Sequence, residues 1–435
     1  MLSRLGLTAR IFDRPGAVRL ATGTAIMAGG SAGRLLLQIL LFVIVARMLG
    51  TADYGGFVSV TALVAIISTF AGLACEVVLV KNVSRDPDAF SRYFGNGLVL
   101  LAITTPVLVA VSNVAVLLLS GARVPWPIVT MMAVADLFFL RVNMLCAAGY
   151  QAFDRMKKCA LLNTGFSACR LAGALLAVLT VRHLGIVSWA FFYSGSAVAA
   201  ALLSLTLVTR DLGWPRWFIA RHEFRFGFHT ALQSTMFFAM RDIDKPLLGR
   251  LVSLPIAGLY AAGFRLADAA VVPIRALMYT ASARYFRHGR SGARGSSDFA
   301  LRLLPYGVVY GALAFAGIEI VPWFLPWVLG RQYAGAADVL RIFGVLPLLH
   351  AAYNIGADAL SASGHQPTRS SVQGIAAGLM AVLCLVLIPR FGIYGAAFAN
   401  VISHATMAAM TWIALLAHRK RHSLALAAQT AATDK

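Results

Sequence analysis

Long apolar runs, each about the length of a membrane span, follow one another along almost the whole chain. A transmembrane helix needs about 20 predominantly apolar residues, and a window of that length finds twelve such runs. The predicted spans are residues 22–46, 55–80, 95–119, 125–149, 159–181, 185–208, 228–250, 256–281, 303–326, 334–361, 370–389 and 393–417. The pattern therefore predicts an all-α integral membrane protein of about twelve transmembrane helices.

Composition strengthens this interpretation and excludes a soluble protein. Of the 435 residues 59% are hydrophobic and 13% are charged, whereas soluble domains have about 25% charged residues. The first apolar run, Ala21–Val45, exceeds the 7–15 residues of a signal-peptide core, which predicts a retained span. The five cysteines are scattered without a CxxC spacing, so we expect buried hydrophobes, no metal site and no cofactor.

The distribution of lysine and arginine predicts the orientation. Because the number of spans is even, both termini lie on one side, and about 24 basic residues fall there against about 6 on the other side. The positive-inside rule then places both termini in the cytoplasm. The basic loop at 283–302 also predicts contact with anionic membrane lipids, and no nucleic-acid partner is expected.

The two halves of the chain resemble each other at a nearly constant offset of about 200–215 residues. Three pairs of similar segments carry the likeness: 46–57 with 248–264, 148–151 with 363–366, and 181–186 with 389–393. Two similar six-span halves are typical of secondary transporters, whose substrate site lies between the halves.

This repeat predicts a division of the chain into two six-helix lobes with a linker between them. The predicted parts are an N-terminal segment at 1–21, an N-terminal lobe at 22–208, a linker at 209–227, a C-terminal lobe at 228–418 and a tail at 419–435.

The seventh span departs from the apolar pattern. Four charged residues lie near its middle: Arg241, Asp242, Asp244 and Lys245. A charge at membrane depth costs at least a few kcal/mol, so it persists where it faces a cavity or a bundle interior. Pro246 follows at once and is expected to kink the helix. The same charges are also compatible with an internally neutralised knot that only holds helices together.

Several motifs resemble the polysaccharide-transporter branch of the multidrug/oligosaccharidyl-lipid/polysaccharide exporters. They are ARMLGTADYG at 46–55, DKPLLG at 244–249, GLY at 258–260 and LIPRFGIYGAA at 387–397. The resemblance covers essentially the whole chain. It implies a MATE-like fold of two lobes that alternates between inward-open and outward-open states.

The resemblance further implies a flippase for a polyprenyl-diphosphate-linked oligosaccharide, as in the Wzx-type flippases, working in O-antigen, capsule or exopolysaccharide synthesis. Such a protein is not an enzyme, and its expected partners include a polysaccharide polymerase and glycosyltransferases. Two alternatives stay open: a cation-coupled multidrug antiporter of the same fold, and a membrane polysaccharide polymerase or ligase.

Intramembrane arginines suit such a substrate, because guanidinium supplies bidentate donors to phosphate and keeps its proton. The candidate headgroup ligands are Arg34, Arg241, Lys245 and Arg265, followed by Arg141 and Arg170. They come from both halves, as a site between the halves requires.

Intramembrane carboxylates are the candidates for coupling to protons or Na⁺, because desolvation shifts their titration. These candidates are Asp242, Asp244, Asp268 and Asp358. Helical spacing predicts that Asp268 pairs with Arg265 three residues earlier, and that Asp338 pairs with Arg341.

Overall fold

A computed structural model gives the architecture of the chain and describes residues 14–120, 123–181, 184–275, 278, 285 and 292–433. The described residues are helical almost throughout and contain no strand. The helices are α1 Arg14–Ser68, α2 Cys75–Val83, α3 Phe90–Ser120, α4 Trp126–Val134, α5 Leu140–Ala152, α6 Met156–Thr180, α7 Ile186–Leu212, α8 Phe224–Asp242, α9 Asp244–Leu251, α10 Leu254–Ala269, α11 Gly292–Val328, α12 Ala336–Phe343, α13 Leu346–Ala362 and α14 Gln366–Thr433. The all-α prediction is confirmed.

Twelve membrane crossings can be traced through the described helices. Eight helical segments are long and apolar enough to cross a membrane, and two of these, α1 and α14, break at a glycine into two spans each. The α8–α9 pair and α10 supply the remaining two crossings, and charged residues interrupt their apolar character. We call the side at which α1 begins and α14 ends the terminal face, and the other side the opposite face.

The breaks in α1 and α14 occur where the sequence predicted junctions between spans. Gly50 has φ 73° and Gly392 has φ 57°, a left-handed conformation that favours glycine. Close to the first break, the Asp53 carboxylate accepts a hydrogen bond from the N–H of Ile186 at 3.0 Å. A carboxylate at a helix N-terminus is stabilising, so this segment ties the α1 break to the start of α7.

The same turn recurs in both halves on the terminal face. In each turn an N–H reaches back five residues to a carbonyl oxygen at 2.9 Å: Arg155 to Tyr150, and His365 to Leu360. The turns are thus 210 residues apart (360 minus 150), whereas the sequence match had implied 215 (363 minus 148). The repeat is present, but the match of the two sequence segments is shifted by five residues relative to the equivalent turns in the structure.

On the opposite face the two halves contact each other reciprocally through glycines. A Cβ on Gly55 would lie 1.9 Å from the carbonyl oxygen of Leu254, and a Cβ on Gly258 would lie 2.1 Å from that of Thr51. Both equivalences, Thr51 with Leu254 and Gly55 with Gly258, have an offset of 203 residues. The α1 and α10 backbones therefore close this face through a contact that requires glycine on both sides.

The segment between the lobes is fastened to the terminal end of the N-terminal lobe. Glu223 accepts hydrogen bonds from Lys81 Nζ at 2.9 Å and Asn82 Nδ2 at 3.0 Å. Burial disfavours the charged carboxylate, but these donors outweigh it, and the pKa of Glu223 lies below its ordinary value of 4.5. The ionised carboxylate therefore stabilises the folded protein above about pH 4.5, and this contribution declines as the pH falls through the lower native pKa.

Replacing Glu223 with glutamine is accordingly expected to destabilise the protein at pH 7 by about 1–3 kcal/mol, the worth of charge-assisted hydrogen bonds. The difference from wild type should shrink as the pH falls below 4.5. Thermal unfolding in detergent at pH 7 and at progressively lower pH measures both effects. Asp86→Asn is the control, because the Asp86–Arg92 pair is exposed and 3.9 Å long. A destabilisation that does not change with pH would contradict the ionic role.

Candidate functional site

A cavity of about 610 Å³ lies between the two lobes. The N-terminal lobe contributes α1 and Asp136, and the C-terminal lobe contributes α8, α9 and α10. Arg34 and Arg275, which border the cavity nearest the terminal face, are exposed. Because the glycine contact closes the opposite face, the cavity is reached from the terminal face.

The charges of span seven lie at a break in the helix. α8 ends at Asp242 and α9 begins at Asp244, because Pro246 has no N–H to donate to the carbonyl of Asp242 four residues earlier. Lys245 Nζ lies 2.7 Å from Asp242 Oδ1 and 3.3 Å from Asp244 Oδ1. It also donates to the carbonyl of Arg241 at 2.8 Å. The ammonium group of Lys245 is thus bound at the helix break by two carboxylates and by the carbonyl oxygen of Arg241.

Asp244 belongs to the interior of the C-terminal lobe and does not line the cavity. Its side chain is completely buried, and it accepts hydrogen bonds from Tyr260 Oη and from Asn400 Nδ2, the latter at 3.0 Å. Three residues, counting Lys245, therefore donate hydrogen bonds to this carboxylate. A buried charge needs such partners to persist, so Asp244 anchors the break to α10 and α14.

Asp268 is a second carboxylate that pairs with more than one cation, and the predicted partner of this residue was wrong. Arg265 was predicted to pair with Asp268 along one helix, but Asp268 binds Arg241 at 2.7 Å and also pairs with Arg275. Arg241 reaches it from the neighbouring span, so helix packing overrides the i+3 spacing. The predicted pair of Asp338 and Arg341 is present, with a separation of 3.4 Å.

These pairings leave the cavity with a surplus of positive charge. Three cations and three carboxylates form a neutral network in the C-terminal lobe: Arg241, Lys245 and Arg275 with Asp242, Asp244 and Asp268. Among the described residues, Arg34 and Arg265 have no carboxylate partner, although both line the cavity. Two arginine charges are therefore available to a ligand.

In the N-terminal lobe, Arg170 is paired just behind the cavity wall. It lies 2.7 Å from Asp136, and Tyr193 Oη donates to the same carboxylate at 2.8 Å. The guanidinium also stacks over the Tyr193 ring, 3.6 Å from its centroid. Arg170 is thus oriented within its lobe, with its charge balanced by Asp136.

Two further candidates from the sequence do not line the cavity. Arg141 is buried against Glu76 at 2.9 Å and Ser68 at 2.9 Å, within the N-terminal lobe. Asp358 pairs with Arg369 at 3.2 Å, near the terminal end of α13. The structure therefore brings Arg34, Arg241, Lys245, Arg265, Asp242 and Asp268 together at the cavity, and places Arg141, Arg170, Asp244 and Asp358 outside its immediate centre.

Sequence reasoning missed the aromatic side of the site. Phe42 and Tyr54 line the cavity beside Arg265, whose guanidinium lies 5.6 Å from the Phe42 ring centroid. Tyr54 belongs to the ARMLGTADYG segment, so that motif was the available signal. Among the described residues, no group of three or more His, Cys, Asp or Glu side chains could hold a metal ion.

Several solved structures share the fold of this protein at low sequence identity. An inward-facing multidrug resistance MATE family transporter has 15% identity and a TM-score of 0.66, covering 92% of this chain and 93% of its own. The lipid II flippase MurJ in an inward closed conformation has 11% identity and a TM-score of 0.68, covering 92% and 90%. A transporter from Pyrococcus furiosus Vc1 has 15% identity and a TM-score of 0.62, covering 93% and 95%. The chain has the two-lobed fold of the multidrug/oligosaccharidyl-lipid/polysaccharide exporter superfamily.

Within that superfamily the chain belongs to the polysaccharide biosynthesis protein family, whose model matches residues 20–285. The family resemblance found in the motifs is confirmed. No curated protein sequence matches the chain. The protein is thus a multi-pass membrane protein of the polysaccharide biosynthesis protein family.

Proposed function

We propose that this protein moves a polyprenyl-diphosphate-linked oligosaccharide across the bacterial cytoplasmic membrane by alternating access, for the synthesis of a surface polysaccharide. One observation carries the proposal: the cavity between the lobes holds two arginines, Arg34 and Arg265, without a carboxylate partner among the described residues. Membership of the polysaccharide biosynthesis protein family supports the substrate class.

The charge of the cavity matches that of the proposed headgroup. A diphosphate between lipid and sugar carries roughly one negative charge on each phosphate, and the two unpaired arginines supply two positive charges. Guanidinium groups bind phosphate oxygens bidentately and stay protonated. The substrate would thus replace the missing counter-ions, and the surplus charge would be neutralised only when the cavity is loaded.

The prenyl chain of the proposed substrate requires no polar cavity, because it can stay in the bilayer while the headgroup passes between the lobes. Apolar side chains of α1 next to Arg34 are exposed, including Leu36 at 68% and Leu40 at 49%. Such a surface is compatible with lipid at the entrance of the cavity. The oligosaccharide would then pass through the polar interior.

A multidrug antiporter of the same fold is the main competitor, because MATE family transporters are among the structural neighbours. Those neighbours share the fold at 16% identity or less. A shared fold at this identity does not indicate a shared substrate. A cationic drug would face two arginines without carboxylate partners among the described residues, and both would repel it. The basic cavity therefore favours an anionic headgroup.

The orientation follows from the basic residues at the terminal face, which the positive-inside rule places in the cytoplasm. The cavity would then be open to the cytoplasm, where lipid-linked sugars are loaded. Asp242 and Asp268 line the cavity in ion pairs with its cations. They are the proposed sites of coupling to protons or Na⁺, since a phosphate competing for those cations would release the carboxylates. Glycosyltransferases before the transfer and a polymerase after it are the proposed partners.

Deletion of the gene, followed by leaflet-resolved analysis of polyprenyl-linked sugars, tests the function. The lipid-linked oligosaccharide is expected to accumulate in the cytoplasmic leaflet, and the wild-type gene should clear it. Absence of any accumulation would contradict the flippase proposal. Loss of export of cationic dyes with unchanged sugar lipids would instead assign the protein to the drug antiporters.

A further inference from the structure

On the opposite face each lobe donates a side-chain hydrogen bond to the backbone of the other. Tyr333 lies in a short turn of the C-terminal lobe, Arg331–Tyr333, and its hydroxyl donates to the carbonyl oxygen of Ala46 in α1 at 2.9 Å. Arg123 lies between α3 and α4 of the N-terminal lobe and donates to the carbonyl oxygen of Gly249 in α9. The two contacts thus cross the interface between the lobes in opposite directions.

These contacts are equivalent under the internal repeat of the chain. The acceptors Ala46 and Gly249 are 203 residues apart (249 minus 46), which is the offset of the reciprocal glycine contact. The donors Arg123 and Tyr333 are 210 residues apart (333 minus 123), which is the offset of the repeated turns. The same contact therefore occurs in both halves, although the donor is a guanidinium in one and a phenol in the other.

Both acceptors lie where a helix leaves carbonyl oxygens available. Ala46 is four residues before the break at Gly50, and Gly249 is two residues before the end of α9. Ser253, whose N–H would bond the Gly249 carbonyl if the helix continued, is extended with φ −166°. Carbonyls in the last turn of a helix lack intrahelical partners, and the partial negative charge there attracts donors. Each donor therefore satisfies a helix end that belongs to the other lobe.

The contact made by Tyr333 is shielded from solvent. Its side chain is completely buried, and its ring packs edge to face on Tyr54, with the centroids 6.3 Å apart. When the lobes separate on this face, the hydroxyl loses the carbonyl oxygen of Ala46, and a buried polar group without a partner is unfavourable. The glycine contact permits the close approach of the two backbones, whereas these hydrogen bonds stabilise it.

We infer that Arg123 and Tyr333 form two equivalent latches, which hold the opposite face closed and must both release before the cavity opens on that face. Phe42 and Lys245 line the cavity one helical turn before the two acceptor carbonyls. The latches are thus attached to the helix turns that wall the cavity. They belong to the conformational cycle of the protein and act in the same way whichever substrate it carries.

Thiol labelling from the opposite face tests the latches without any substrate. Thr61 lines the cavity behind the closed face, so Thr61→Cys reacts with a membrane-impermeant maleimide from that side only when the face opens. Because the rate follows the open fraction, it reports even a rarely open state. Tyr333→Phe and Arg123→Gln should each raise this rate about threefold to tenfold, the effect of one lost hydrogen bond. The double variant should show about the product of the two increases, because the contacts are separate.

Right-side-out and inside-out vesicles present one face each to the reagent, and the parent protein without Thr61→Cys corrects for the native cysteines. Tyr310→Phe is the matched control, because the Tyr310 hydroxyl also donates to a carbonyl oxygen, that of Ala270 at 2.7 Å, but within the C-terminal lobe. Arg250→Gln is the control for lost charge, since Arg250 is exposed and follows Gly249. Both controls should leave the rate unchanged.

Labelling from the terminal face should not rise in any variant. Unchanged rates from the opposite face in the single and double variants would contradict the latches. Equal increases from both faces would show a general loosening of the protein instead. A double variant that reacts no faster than the faster single variant would show that the two contacts do not act as a pair.

Discussion

Replacement of Arg265 with glutamine is expected to lower transport of the sugar lipid about ten- to hundredfold. The charge-assisted hydrogen bonds that a guanidinium gives a phosphate are worth about 1.5–3 kcal/mol, and each 1.4 kcal/mol is a factor of ten. Arg265 has no carboxylate partner among the described residues, so its removal leaves no acidic group unpaired. The protein should therefore fold normally while its cavity loses half of its surplus charge.

Transport is measured as clearance of lipid-linked oligosaccharide from the inner leaflet, with protein level and unfolding temperature recorded in parallel. Arg265→Lys should retain part of the activity, because it keeps the charge but loses the bidentate geometry. Arg341→Gln is the control, since it removes the same charge from a pair with Asp338 away from the cavity. Normal transport by Arg265→Gln would exclude Arg265 as a headgroup ligand.

Replacement of Gly258 with alanine is expected to abolish most transport by disturbing the conformational cycle. Its Cβ would lie 2.1 Å from the carbonyl oxygen of Thr51, and neither backbone can yield without moving a helix. The opposite face then cannot close as it does here, so the equilibrium should shift toward the state that opens on that face. The transporter would still bind substrate but would complete its cycle rarely.

Distances between spin labels at Trp126→Cys and Trp327→Cys measure this shift, because both positions are exposed, one on each lobe, at 73% and 86%. The distance is expected to increase in Gly258→Ala, and equally in Gly55→Ala, whose Cβ would lie 1.9 Å from the Leu254 carbonyl oxygen. Gly195→Ala is the control, because a Cβ there meets nothing within 4 Å. Unchanged distances together with normal transport would show that the glycine contact is not a gate.

The substrate can also act on the ion pairs of the C-terminal lobe. Asp268 holds Arg241 and Arg275 together, and all three line the cavity. A phosphate near these arginines competes with Asp268 for them, so loading would loosen a contact between spans seven and eight. Under the proposed function these carboxylates would neutralise Arg241, Lys245 and Arg275 in the unloaded protein and would be displaced from them when the headgroup enters.

Much of the fold could be predicted from the sequence, because hydropathy is a local property of each segment. The apolar runs predicted twelve spans, and Gly50 and Gly392 break α1 and α14 where span junctions were expected. Pro246 predicted the break between α8 and α9. The division into the parts 1–21, 22–208, 209–227, 228–418 and 419–435 stays a prediction of the sequence.

The candidate site was only partly predictable. The sequence supplied the charged residues of spans one, seven and eight, since any charge in an apolar run is conspicuous. It marked Tyr54 only as a member of the ARMLGTADYG segment, because an aromatic residue in an apolar helix otherwise resembles ordinary core. Only the tertiary structure shows that Phe42 and Tyr54 line the cavity beside Arg265.

By itself the sequence therefore determined the membrane class, the helical repeat and the presence of charge at membrane depth. Tertiary structure decided which of the remaining charges are neutralised, because many ion pairs join helices that are distant in the chain. Asp136 meets Arg170 across 34 residues and Glu76 meets Arg141 across 65. Asp268, three residues from Arg265, points to other arginines. Packing, not spacing, leaves Arg265 and Arg34 as the unpaired charges of the cavity.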